Sequence, residues 1–126
     1  FIVYPVYAEY DITEGYDENT EVSLKGVVVE IGTYNTRMRG PVILKIENNK
    51  KIYYVVTSPK WYLLQEGIDF LSNSRVEVIG SKYFGRDGNL YIIGREIRDL
   101  ETGRLIILRD LQYRPIWKGH RMLRGR

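Results

Sequence analysis

Apolar and polar positions alternate along much of this 126-residue chain with a period of two, the pattern of strands with one buried face. Strand one reads over residues 21–31, with Val22, Leu24, Val27, Val29 and Ile31 apolar. Its alternation slips by one at Gly26, and a glycine at such a slip predicts a β-bulge. Residues 32–40 form a loop. Strand two, 41–47, puts Val42, Leu44 and Ile46 on one face, and Asn48, Asn49 and Lys50 predict a tight hairpin. Strand three, 51–57, is dense in β-branched and aromatic residues: Ile52, Tyr53, Tyr54, Val55 and Val56. The period then changes. Ser58 suits a helix cap and Pro59 the first helical position, Trp61, Leu64 and Ile68 follow at roughly helical spacing, and Gly67 is the expected stop. Strand four, 75–83, turns Val76, Val78 and Ile79 to the core and bends at Gly80. A turn over 85–89 leads into strand five, 90–97. A last hairpin around Glu101, Thr102 and Gly103 adds a sixth strand, 105–108, and Ile116 and Trp117 are expected to pack back on the body.

Three strands, one short helix and two further strands make the plan of the OB-fold. The expected class is therefore all-β: a five-stranded Greek-key barrel, one helix between strands three and four plugging an open end, and an added C-terminal β-hairpin. There is one domain, residues 21–117, with no internal repeat. Residues 1–20 are a lead-in and 118–126 a basic tail.

Hydrophobic content of 44% and charged content of 28% fit an ordinary globular protein. With no cysteine, disulfides and thiolate metal sites are excluded, and the single histidine, His120, excludes any site needing two imidazoles. Net charge is only +3, but it is unevenly spread. Residues 9–21 carry Glu9, Asp11, Glu14, Asp17, Glu18 and Glu21 and no base, while residues 111–126 carry Arg114, Lys118, Arg121, Arg124 and Arg126 and no acid. Such ends are either interaction tails or neighbours that neutralise each other. The apolar opening, Phe1 to Ala8, has compact residues at Val6, Tyr7 and Ala8 and reads as the trailing end of a secretory leader, which implies a periplasmic or secreted protein. The alternative is a first strand over residues 2–7, which would leave the protein cytoplasmic. No stretch approaches the ~20 apolar residues of a membrane span.

Val27-Val28-Val29-Glu30 after a glycine, Trp61-Tyr62-Leu63-Leu64 with Gly67, and Val76-Glu77-Val78-Ile79-Gly80 resemble OB-fold domains of the nucleic-acid-binding type. Leu108-Arg109-Asp110 and Arg114-Pro115-Ile116-Trp117 resemble the tail of small exported bacterial OB-domain proteins. The resemblance spans residues 21–117 and implies a binding module that works through the face of strands two and three and the adjoining loops. Those places hold Tyr34, Asn35, Arg37 and Arg39; Lys45, Lys51, Tyr53 and Tyr54; and Lys82, Tyr83, Phe84 and Arg86. Of these, Tyr34, Arg37, Arg39, Lys45, Tyr53 and Arg86 are the candidate contact residues.

In a nucleic-acid reading, rings would stack bases for about 1–3 kcal/mol each while arginine and lysine follow phosphates. The mild net charge turns the balance toward a protein or envelope component, met by strand edge, groove or charge. A third reading comes from similarity to the haem chaperone of cytochrome c maturation, which would use His120 in Lys118-Gly119-His120-Arg121-Met122. Arg121 and Met122 stand where that motif has acids, so no cofactor is expected. Catalysis is not expected either. The only histidine sits in the tail, and carboxylate pairs such as Glu66 with Asp69 or Glu96 with Asp99 come with no cleft. Oligomeric state stays open, although a barrel with an added strand leaves an edge that could pair.

Overall fold

The computed structural model describes the backbone of residues 2–3 together with residues 15–33 and 40–119. Its strands are β1 (Ile2–Val3), β2 (Glu21–Thr33), β3 (Pro41–Asn48), β4 (Lys51–Pro59), β5 (Arg75–Phe84), β6 (Leu90–Asp99) and β7 (Leu105–Ile107), with helix α1 (Lys60–Gln65) between β4 and β5. The thirteen-residue β2 is long enough to serve two partners. Residues 21–27 pair antiparallel with β5, and residues 27–33 pair antiparallel with β3. β3 pairs antiparallel with β4, β4 parallel with β6, and β6 antiparallel with β5, so the ring closes in the order β2-β3-β4-β6-β5. This is the expected five-stranded barrel with its helix after the third strand. β7 is the added strand and pairs with β6 outside the ring. At the other end of the chain, β1 pairs parallel with the end of β2, Ile2 opposite Gly32 and Val3 opposite Thr33.

Strand parity fills the barrel. Val28, Leu44, Ile46, Val55, Val78, Ile92 and Ile97 meet in one buried cluster, extended by Ile106, Leu108 and Trp117 from the appended segment. Ile116 and Trp117 do pack back on the body, the Trp117 ring lying 6.2 Å from that of Tyr62. A second, smaller cluster of Ile43, Val56 and Tyr91 forms on the opposite face of the same strands. Ile79, expected inside, pairs with Glu96 on that outer side and is half-buried, because Val78 already takes the inward position opposite Ile97.

Two local expectations are corrected. The register of β2 on β3 shifts between Val28 and Glu30, so the extra residue of the bulge is Val29, three positions beyond Gly26. Gly26 is a glycine for space. A Cβ there would lie 2.5 Å from Ile46 Cγ2 and 2.7 Å from the Glu47 carbonyl oxygen. Close approach and bulge leave the same mark in a sequence, and only the tertiary neighbours separate them.

The second correction concerns the helix. Ser58 and Pro59 complete β4, Pro59 stands at the cap with extended backbone and no side-chain cap bond, and α1 starts at Lys60. In a helix of under two turns the long-range period is not expressed. Tyr62 and Leu63 are buried, Trp61 and Ile68 are half-buried against the core, and Leu64 faces out. Gly67 does end the turn, at φ +65°, with the Ile68 N–H closing on the Leu63 carbonyl at 2.9 Å. A Cβ at Gly67 would meet nothing within 4 Å, so Gly67→Ala carries only the left-handed backbone penalty. The expected loss is about 1 kcal/mol, read as a lower urea midpoint with unchanged slope.

Candidate functional site

A row of side chains crosses the outer wall of the barrel. Glu30, Lys45, Tyr54, Tyr91 and Tyr83 are successive cross-strand partners on β2, β3, β4, β6 and β5. Lys45 Nζ lies 3.9 Å from the Glu30 carboxylate. The Tyr91 ring stacks on Tyr83 at 5.4 Å and meets Tyr54 at 5.5 Å in a tilted contact. Its hydroxyl donates to Asp87 Oδ2 at 2.6 Å, and the Asn89 backbone N–H reaches Asp87 Oδ1 at 2.9 Å. Burial raises the Asp87 carboxyl, yet the bonds from Tyr91 and Asn89 outweigh it and hold the group below the usual range. Tyr91 is itself buried, as are Ile43 and Val56 beside it.

Of the candidate contact residues, Lys45 lies on this row and Arg86 is exposed in the turn after β5. Tyr53 points the other way and packs, half-buried, on the interior cluster, because one step along β4 exchanges the two faces. Tyr34, Arg37 and Arg39 lie outside the described residues, as does His120. Tyr91 was missed by sequence reasoning. It reaches the row through the parallel β4–β6 pairing, which no local pattern announces.

A groove of about 360 Å³ runs beside α1. Ile31, Val42, Leu63, Leu64, Ile68 and Leu71 supply its apolar lining, and Lys60 and Asp69 contribute polar groups. Leu64 and Leu71 are 57% and 66% exposed. Asp69, Phe70 and Leu71 also line a second cavity of about 220 Å³, which reaches the core residues Val28, Val76, Ile97 and Ile106. The available signal was the run Trp61-Tyr62-Leu63-Leu64, four consecutive apolar residues that a helix cannot all turn to one core.

A third cluster ties both ends of the described chain to the barrel. Arg95 of β6 donates from Nε and Nη2 to the Glu21 carboxylate, both at 3.0 Å, and from Nη1 to Glu96 at 2.8 Å. The Tyr16 hydroxyl donates to the same Glu21 carboxylate. The Tyr16 ring stacks on Tyr113 at 5.1 Å, and the guanidinium of Arg109, which is 3% exposed, sits 5.3 Å from the Tyr16 ring and 6.0 Å from that of Trp117. Arg109 Nη1 donates to the Tyr113 carbonyl at 2.8 Å. Bonding to Arg95 pulls the Glu21 carboxyl down against its burial. Burial, with the Glu21 charge beside it, pushes the Tyr16 hydroxyl well above its ordinary value, and burial pulls the Arg109 guanidinium down. The described parts of the two ends thus do meet. They do so by ring stacking, while Glu21 is neutralised from β6 and Arg114 turns to Asp110 at 3.0 Å.

Among the described residues, no group of three or more His, Cys, Asp or Glu is placed to hold a metal ion. None of their helices is long and apolar enough to cross a membrane. A comparison with curated proteins finds none that matches the chain. Among models of protein families, that of the MamS/MamX magnetosome protein family matches residues 20–102, more than half of the chain. The matched span takes in the whole barrel ring and α1, so what the likeness to nucleic-acid-binding domains carried was the barrel plan. The chain belongs to the MamS/MamX magnetosome protein family.

Proposed function

We propose that this chain is a non-catalytic binding module of magnetosome assembly, and that it takes apolar side chains of a protein partner in the groove beside α1. The carrying observation is the pair Leu64 and Leu71, both more than half exposed, flanking an apolar groove of about 360 Å³. Burying each leucine fully against a partner would contribute about 1.5–3 kcal/mol. The outer wall offers less. Its three rings pack on one another, Lys45 answers Glu30, and the apolar residues beside them are already buried. A platform for stacking bases needs open ring faces. Phe84 at the end of β5 is 72% exposed, but the three rings of the row face one another, so these observations favour a protein over single-stranded nucleic acid. Haem handling through His120 gains no support from the described residues.

The test compares retention of magnetosome-membrane proteins on the immobilised full chain and on its variants. Leu64→Ser with Leu71→Ser should lower retention of the bound partner at least tenfold, and Lys45→Ala with Arg86→Ala should not. Exposed substitutions of this kind leave stability within about 0.5 kcal/mol, so a loss reports contact. Retention that ignores the leucines would sink the groove reading, and a single-stranded oligonucleotide bound with a steep salt dependence would restore the nucleic-acid one. For the compartment, the β1–β2 pairing supports a strand at the start of the chain and weakens the leader reading. Cleavage by protease added to spheroplasts would place the protein outside the cytoplasm, and protection would place it inside.

A further inference from the structure

We propose that β7 is the seam of a homodimer, in which two copies pair their β7 strands antiparallel about a two-fold axis at Ile106. Among the described residues β7 pairs on one side only, with β6. Two bonds flank that pairing and set its phase: Asp99 N–H to the Arg104 carbonyl and Leu108 N–H to the Arg95 carbonyl, both 2.8 Å. Hydrogen-bonded and non-bonded pairs alternate in an antiparallel ladder. The N–H and C=O groups of Leu105 and Ile107 therefore point away from β6, along the open edge. Their side chains are 40% and 46% exposed, on the face opposite the buried Ile106. Exposed edges are commonly blunted by charge or proline at such positions. Here both are aliphatic, and Leu100 and Leu111 add exposed apolar surface in the same stretch.

The segment complements itself. A two-fold at Ile106 sets Leu105 opposite Ile107 of the second copy and Ile107 opposite its Leu105. Both are bonded pairs, so the outward groups satisfy one another in four hydrogen bonds, and the four side chains form one apolar cluster. This register alone pairs both outward residues of each copy, and the flanking charges, about 14 Å apart across the two β7 strands, add a weaker bias. In β6, Glu96 stands beside Ile107 and Arg98 beside Leu105. With the axis at Ile106, each row ends on Glu96 of one copy and Arg98 of the other. Slipping the antiparallel pair by two residues, or making it parallel, ends rows on like charges. The seam stops at Leu108, whose carbonyl takes the Ile116 N–H. A three-residue ladder falls short of the roughly 800 Å² per partner of a standard interface, so the association is weak. This edge is distinct from the groove beside α1, and the proposal does not depend on that reading.

Sedimentation equilibrium of the full chain up to roughly 500 μM should show a reversible dimer. Ile107→Pro removes an N–H that faces away from β6, which an edge strand tolerates, and should leave a folded monomer by circular dichroism. A monomer for the native chain at every concentration overturns the seam, as does a folded Ile107→Pro chain that still dimerises. The native chain has no cysteine, which permits a second test that does not rely on the proline variant. Bonded antiparallel partners have Cα atoms about 5.5 Å apart, within disulfide reach. A Leu105→Cys chain mixed with an Ile107→Cys chain should give at least tenfold more covalent dimer under mild oxidation than either variant alone. Equal yields from all three overturn the register.

Discussion

Gly80→Val is expected to lower the thermal midpoint by about 15 °C, the largest effect of any single substitution considered, at a cost on the order of 4 kcal/mol. A Cβ at Gly80 would sit 2.3 Å from the Ile93 carbonyl oxygen and 2.6 Å from Ile92 Cγ2. The first obstacle is backbone. Ile93 pairs with Val56 of β4 as well as with Ser81 of β5, so it cannot yield without opening the parallel β4–β6 seam that closes the ring. Gly80 itself pairs with Gly94, directly beyond a shift in the β5–β6 register. Against a total stability of roughly 5–15 kcal/mol, such a loss is a large fraction. Melting followed by tryptophan fluorescence checks it, with Gly67→Ala as the comparison in open space. A Gly80→Val chain melting within about 2 °C of the native protein would refute the closed seam.

Arg95→Ala is expected to cost about 2–3 kcal/mol and to loosen residues 15–20, which Ser81 and Tyr113 still hold to the body. The substitution removes three charge-assisted bonds and leaves the half-buried Glu21 without its cation. Faster amide exchange at Asp17, whose N–H bonds the Ser81 hydroxyl of β5 at 3.1 Å, would report the loosening. The pH dependence has a definite sign. The folded Glu21 carboxyl lies below its usual 4.5. Its contribution is complete above about pH 4.5 and is lost as pH falls through the folded value. Native stability should therefore drop more steeply than that of Arg95→Ala between pH 5 and pH 3, while Asp87, Asp99 and Asp110, also depressed, act in both proteins. At the alkaline end Tyr16 is raised, so its contribution is whole below about pH 10 and fades as pH rises through the folded value. Parallel urea-midpoint curves for the two proteins in acid would show that Glu21 and Arg95 are not coupled.

Periodicity by itself determined the five barrel strands, the place of the helix, the stop at Gly67 and the added hairpin. Each of these is a local choice between periods of 2 and 3.6, or a turn residue with one conformational use, and such choices are complete within a dozen residues. The choice of face was decided only by tertiary structure. Tyr53 and Tyr54 differ by one step along β4, and what turned Tyr53 inward was the pairing of its strand with β3 and β6. Gly26 reads as a slip in alternation and Gly80 as a bend, but only Gly80 lies at a register shift, while Gly26 makes room for Ile46. Leu64 was exposed because α1 turns Tyr62 and Leu63 to the core and leaves the face of Leu64 outside. The tyrosine row, the groove and the Arg95 cluster each join residues from three or more separate elements. A one-dimensional pattern records what each residue prefers; which residues become neighbours is decided when the ring closes.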